Sequence, residues 1–134
     1  MNLFVDTSVW SLALRRDRPQ STPETTRLRT ALEQGEDIYS TGIVLQELLQ
    51  GFTGPKSRDL ILSHFAALPF LVPDHDDHLA AADLHTACRR RGIRAGTIDV
   101  LLAALCMRHD LTMLSADADF KRIGTVRPFS VWES

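Results

Sequence analysis

Apolar positions change their period several times along this chain, and the changes mark its elements. Leu3-Phe4-Val5 is a short unbroken apolar run, the signature of a strand buried on both faces in a parallel sheet. It leads into Asp6 and then Thr7-Ser8, side chains suited to capping a helix from Val9 to about Leu14. After the polar break Arg15-Arg16-Asp17-Arg18-Pro19, Thr22-Pro23-Glu24 combines a cap, a proline at the first helical position and an early acid. The spacing predicts a helix from there to Gln34, stopped by Gly35. Asp37 to Ser40 reads as a short second strand. Behind Thr41-Gly42, residues Val44, Leu45, Leu48 and Leu49 recur with helical period until Gly51, and Glu47 falls on the flank of that stripe.

Pro55 opens another helix with Leu60, Ile61, Phe65 and Leu68 inward. Phe70-Leu71-Val72 is a third strand, and a longer helix runs from about Asp76 to Arg91 before Gly92. Thr97 is placed to cap a segment from Ile98 to Met107 that is apolar on every side, and such a helix must be buried or covered. Leu111 to Leu114 is a fourth strand, followed by a short helix at Ala118 to Arg122. The tail from Val126 to Trp132 admits an edge strand containing Pro128. Strands alternating with helices predict an α/β fold, a parallel sheet between helical layers. Strand order is not encoded in the pattern.

At 134 residues the chain suits a single domain spanning 1–134, able to bury roughly two-thirds of its unfolded surface. A net charge of -2 excludes a uniformly basic nucleic-acid binder. The cations are thirteen Arg against two Lys, Lys56 and Lys121, and Arg is the residue suited to bidentate phosphate contact. Cys88 and Cys106 fall in predicted helices without metal-binding spacing, which suits a reducing cytoplasm. Asp6 interrupts the first apolar run, so no signal segment is expected there. No run approaches the ~20 apolar residues of a membrane span.

The acids carry the chemistry. Asp6 follows strand 1, and Asp117, with Asp119 close by, follows strand 4. Asp99 lies in the first turn of the most apolar helix, and Glu47 beside an apolar stripe. Singly, Asp6 and Asp117 can be caps, Asp99 a helix-dipole residue and Glu47 a solvated flank. Together they sit at strand ends and at inward helix starts, where α/β sheets place ligands. Two carboxylates about 4 Å apart repel by roughly 4 kcal/mol at an effective dielectric near 20. No Lys or Arg is embedded in these segments to offset that, whereas oxygen ligands suit Mg²⁺ or Mn²⁺. Such an ion activates water and stabilises charge on a phosphoryl group. Asp74-His75-Asp76-Asp77-His78, with His85, is a rival ligand cluster, although acids at a helix start are favoured without any metal.

Phe4-Val5-Asp6-Thr7-Ser8-Val9-Trp10, Thr41-Gly42-Ile43-Val44-Leu45-Gln46-Glu47-Leu48, Thr97-Ile98-Asp99 and Met113-Leu114-Ser115-Ala116-Asp117-Ala118-Asp119-Phe120 resemble the motifs of PIN-domain ribonucleases. The likeness covers the whole chain and is greatest to the VapC toxins of type II toxin–antitoxin pairs. It implies a Rossmann-like three-layer α/β/α sandwich with a short, mainly parallel central sheet. It also implies Mg²⁺- or Mn²⁺-dependent endonucleolysis of structured RNA, in tRNA or rRNA loops, that arrests translation and growth. A homodimer, inhibition by a VapB-type antitoxin and operator DNA contact only through that antitoxin are further implications. By motif match Asp6, Glu47, Asp99 and Asp117 are the acidic quartet, with Asp6, Asp99 and Asp117 as metal ligands. Ser8 and Ser115 match supporting positions, and Asp119 is the alternative to Asp117 as ligand.

Arg15, Arg16, Arg89, Arg90, Arg91 and Arg94 are candidate RNA phosphate contacts. The alternative for Arg89 to Arg91 is a solvated helix end favoured by the dipole. Trp10 and Phe52 lie near catalytic segments and suit base stacking, but core packing is the simpler expectation for both. Two other classes fit the residues less well. A phosphotransferase using Asp6 as acceptor, like haloacid-dehalogenase-like phosphatases, expects a second Asp two residues on, where Ser8 stands. A non-catalytic PIN relic tends to lose acids that are all present here.

Overall fold

The computed structural model describes residues 2–15 and 21–134. Its elements are β1 (Leu3–Val5), α1 (Thr7–Leu14), α2 (Pro23–Glu33), β2 (Ile38–Thr41), α3 (Gly42–Gly51), α4 (Pro55–Phe65), β3 (Phe70–Leu71), α5 (His75–Arg90), α6 (Thr97–His109), β4 (Thr112–Leu114) and α7 (Asp119–Val126). The strands form one sheet in the order β3-β2-β1-β4, every pair parallel.

This order dictates the layers. The β1-to-β2 and β2-to-β3 crossovers step in one direction, and the β3-to-β4 crossover steps back across the sheet. With right-handed crossovers, the first two connections lie on one face and the third on the other. The helices pack accordingly: α1 against α2 and α3, and α3 against α4, while α5, α6 and α7 pack among themselves. The result is the three-layer α/β/α sandwich with a parallel sheet that the alternation predicts. The step back makes the gap between β1 and β4 a topological switch point, where ligands bind beyond the strands' carboxyl ends.

Leu3, Phe4, Val5, Met113 and Leu114 are wholly buried, as a sheet covered on both faces requires. In α6, Val100 and Leu102 to Cys106 are buried, so the all-round apolar helix is a core helix. Trp10 packs against Phe65 with ring centroids 4.9 Å apart, and Phe52 packs on the same core. Base stacking by the buried Trp10 is therefore set aside.

Several boundaries differ from the pattern. Helix α1 begins at Thr7, and its N-cap is Asp6, not Thr7 or Ser8. Thr97 is the first helical residue of α6, and the cap position belongs to Gly96, without a side-chain bond. Asp117 does not occupy the cap position of α7. Ala118 does, although an Asp117 oxygen accepts the Asp119 amide at 3.0 Å. In the tail, Met113 donates its amide to Ser130, and Trp132 donates to Met113, forming a parallel bridge on the outer side of β4. The predicted edge strand is thus a single bridge, reached after Pro128.

The rival ligand cluster is closed by protein. Asp74 and Asp77 form a reciprocal capping box at the start of α5. Arg108 reaches across from α6 to both, 3.1 Å from Asp74 and 2.6 Å from the buried Asp77. Burial raises the Asp77 carboxyl, but the Arg108 bond, the Asp74 amide and the Arg108 charge outweigh it and leave the group below its usual value. An acid so paired is an interhelical tie.

Candidate active site

Because β1 and β4 are neighbours, the segments following them converge. Asp6, at the end of β1, is 7% exposed. One of its oxygens accepts from Ser8 Oγ at 2.6 Å, and the other from Ser115 Oγ at 2.8 Å. The Val9 amide points at the first oxygen from 3.5 Å. The two hydroxyls in turn accept the amides of Ala116 (3.0 Å) and Asp117 (2.9 Å). Each serine has one proton and gives it to Asp6, so the 3.4 Å approach of the two Oγ atoms is proximity and not a further bond. Burial pushes the Asp6 carboxyl up, the two serine bonds and the Val9 amide oppose this, and the charge on Asp117 adds to the rise. Ser8 and Ser115 thus hold Asp6 by its two oxygens and anchor the loop that carries Asp117.

Asp99 comes from the first turn of α6 and is half-buried. Burial and then the charges of Asp117, Asp119, Asp6 and Glu47 push its carboxyl up to about 6. All four other acids therefore bear electrostatically on this one group. Ligand oxygens of Asp99, Asp117 and Asp119 lie within 4.8 Å of one another. At that distance two ionised carboxylates repel by about 3 kcal/mol at an effective dielectric of 20. The donor set is oxygen only, as a hard divalent cation prefers. Asp6 stands outside this trio, with both oxygens engaged by serines. Oδ1 takes both the Ser8 hydroxyl and the Val9 amide, so it is Oδ2, with Ser115 alone, that keeps a lone pair free for an ion.

Glu47 enters from α3. Thr7 Oγ1, in the first turn of α1, donates to Glu47 Oε1 at 2.8 Å. Asp6, Thr7, Ser8, Glu47, Thr97, Asp99 and Asp117 line one open cleft of about 410 Å³. All four quartet positions are thus brought together. The role of Thr7 was missed, because in the sequence it reads only as a cap; its place directly after a strand-end Asp was the available signal.

The expectation that no cation is embedded near the acids is corrected by Arg122. One helical turn beyond Asp119, it pairs with that carboxylate at 2.5 Å. Spacing i to i+3 at a helix start is what brings the two together. The other arginines separate clearly. Arg89 and Arg94 line a second cavity together with His85, Gly96, Asp99 and Asp119, so it adjoins the acidic cleft through Asp99 and Gly96. Arg91 donates to the Thr125 carbonyl at 3.0 Å. Arg90 is exposed and lines neither cavity, as is Arg15 at the end of α1. Arg16 lies outside the described residues.

Comparison with known proteins agrees with this architecture. The PIN domain family model matches residues 3–126. Ribonuclease VapC11 of Mycobacterium tuberculosis is 31% identical over 126 residues, 92% of each chain. Among solved structures, VapBC2 from Rickettsia felis bound to a DNA fragment from its promoter superposes with a TM-score of 0.74 at 19% identity, covering 98% of each chain. The Mycobacterium tuberculosis VapC20 structure, described as a Sarcin-Ricin loop cleaving toxin, has a TM-score of 0.69 at 17% identity, covering 91% of this chain and 95% of that one. With the family model spanning both strands that carry the acids and a curated relative aligned over nearly the full length, the chain belongs to the PIN-domain family, among the VapC ribonucleases.

Proposed function

We propose that the chain is a Mg²⁺- or Mn²⁺-dependent endoribonuclease, the toxin of a VapBC-type pair, with structured RNA as its substrate. The observation that carries this is the convergence of Asp6, Glu47, Asp99 and Asp117, from four separate segments, on one open cleft, with an Asp119 oxygen within 4.8 Å of those of Asp99 and Asp117. Asp99 and Asp117 would hold the ion, completed by Asp119 or by the free lone pair of Asp6 Oδ2. The oxygen-only donors and the mutual repulsion of the acids support that fit. Such an ion supplies positive charge for the phosphoryl oxygens and lowers the pKa of water.

The chain's own residues do the remaining work. Ser8 and Ser115 keep Asp6 oriented without an internal cation. Glu47, steadied by Thr7, orients the attacking water in the cleft and takes its proton. The openness of the cleft suits a looped RNA strand entering from solvent. Transfer and ribosomal RNA loops are both within this substrate class. The partner would be a VapB-type antitoxin, in keeping with the VapBC complexes that share the fold, and the chain would act as a homodimer. An antitoxin Arg can supply the donor fork and positive charge that clustered carboxylates lack. No described helix is long and apolar enough to cross a membrane, in keeping with a cytoplasmic toxin.

The test is cleavage of structured RNA by purified protein with Mn²⁺ or Mg²⁺, repeated in EDTA and with Asp99→Asn. Cutting is expected only for wild type with metal. Cutting that continues unchanged in EDTA would refute the oxygen-ligand site. Growth arrest on expression, relieved by the adjacent small open reading frame, tests the toxin role.

A further inference from the structure

Of the six arginines suggested by sequence as RNA contacts, two are set apart by the fold. Arg89 is in the last turn of α5, and Arg94 is in the connector to α6. That connector is built, not loose. The Ile93 amide bonds to the Cys88 carbonyl at 2.9 Å and the Gly92 amide to the Arg89 carbonyl at 3.0 Å. This is the paired closure of a Schellman turn, with Gly92 at φ +72° supplying the left-handed residue it needs. Arg91 adds a bond to the carbonyl of Thr125 at the end of α7. The backbone from Arg89 up to Ile93, the residue before Arg94, is therefore fixed.

Arg89 and Arg94 line one cavity together with Asp99 and Asp119. Both acids are members of the trio whose oxygens approach within 4.8 Å. Among the described residues neither arginine makes an ion pair, although each shares a cavity with carboxylates, while Arg27, Arg108 and Arg122 are all paired. Two unpaired guanidinium groups beside a cleft that takes a phosphodiester present fork-shaped donors with no protein acceptor.

We propose that this cavity is a second phosphate subsite: Arg89 and Arg94 grip the RNA backbone at a phosphate adjoining the scissile one, with the strand passing over Asp99 and Gly96. The inference rests on the nuclease reading of the cleft. The subsite aligns the strand by charge and carries no base specificity, because phosphates report no sequence.

The experiment uses the full chain carrying Asp6→Asn, expected to be silent for cleavage, at a residue that lines the acidic cleft and not the second cavity. A short fluorescein-labelled single-stranded oligoribonucleotide is titrated by anisotropy across a range of KCl concentrations. Arg89→Gln and Arg94→Gln should each weaken binding severalfold at low salt and flatten the slope of log K against log salt by about 0.7, the loss of one phosphate contact. Arg58→Gln, an exposed arginine on α4 that lines neither cavity, should leave the slope alone. In the cleavage-competent chain, the same two variants should raise KM more than they lower kcat. An unchanged slope in both variants, an equal change in Arg58→Gln, or no RNA binding at all overturns the subsite. If wild type fails to cut RNA while the arginine-dependent slope persists, the nuclease reading fails and the phosphate subsite stands.

Discussion

Replacing Asp99 by Asn should stabilise the metal-free protein, and only above mildly acidic pH. In the folded chain, burial and the surrounding acids move this carboxyl from 3.8 up to about 6. Fully felt, that rise corresponds to about 3 kcal/mol. Asp99 is half-exposed in an open cleft, so screening leaves about 1–1.5 kcal/mol. The folded state holds the proton more tightly than the unfolded chain does. Below about pH 4 both forms are protonated and the group is neutral in its effect. Between about pH 4 and 6 the unfolded chain ionises first, so folded stability falls as pH rises. Above about pH 6 the whole penalty is present, and Asn removes it while keeping the shape. Urea unfolding of wild type and Asp99→Asn in EDTA, at fixed protein concentration, should give equal stabilities near pH 4. Near pH 7 the variant should be ahead by about 1–1.5 kcal/mol, or about 3–5 °C in Tm. Asn that is destabilising near pH 7, or a gain that is the same at both pH values, would show that the acid is structural and that the repulsion argument is wrong.

Mn²⁺ should raise the Tm of wild type, by about 2.7 kcal/mol of stability at a hundred times its Kd, and Asp99→Asn should lose most of that gain in differential scanning fluorimetry. Thr7→Val should lower kcat for RNA cleavage about tenfold with KM nearly unchanged, and Thr7→Ser should restore it, because only the hydroxyl that holds Glu47 is at stake. Equal loss in both variants would remove Thr7 from the site. Arg108→Ala should lower stability in chemical denaturation by leaving the buried Asp77 without its cation, and the loss should shrink as pH falls through the Asp77 titration. Asp110→Gly should stabilise by about 0.5–1 kcal/mol in chemical denaturation, since Asp110 ends α6 at φ 53°, a left-handed conformation that suits glycine.

The sequence carried the elements well because each has a local cause. Pro23 and Pro55 open helices, Gly35 and Gly92 close them with positive φ, and Leu3-Phe4-Val5 is apolar because both faces are covered. It carried the acids as residue types at recognisable spacings, but not their neighbours. The adjacency of β1 and β4 follows from which side each crossover takes, and no local pattern records that. The Thr7–Glu47 bond joins residues 40 positions apart, and the Arg108–Asp77 tie joins residues 31 apart. In both cases the local pattern, a cap or a metal-ligand cluster, carries no trace of the distant partner that decides the side chain's role. Asp119 illustrates the limit from the other side: Arg122 was three residues away in plain view, yet pairing depended on α7 starting at Asp119.

The single bridge between Met113 and Val131 bears on how this protein associates with others. A parallel sheet with two open borders invites strand addition from another chain. Here the tail lies along the outer side of β4, and β3 at the opposite border is only two residues long. Neither border offers a continuous ladder of free amides and carbonyls. Contacts with other molecules are thereby directed to the helical faces and to the mouth of the acidic cleft. Deleting the last residues from Ser130 onward should uncover β4 and turn a well-behaved chain into one that self-associates through its sheet, without touching a single acid.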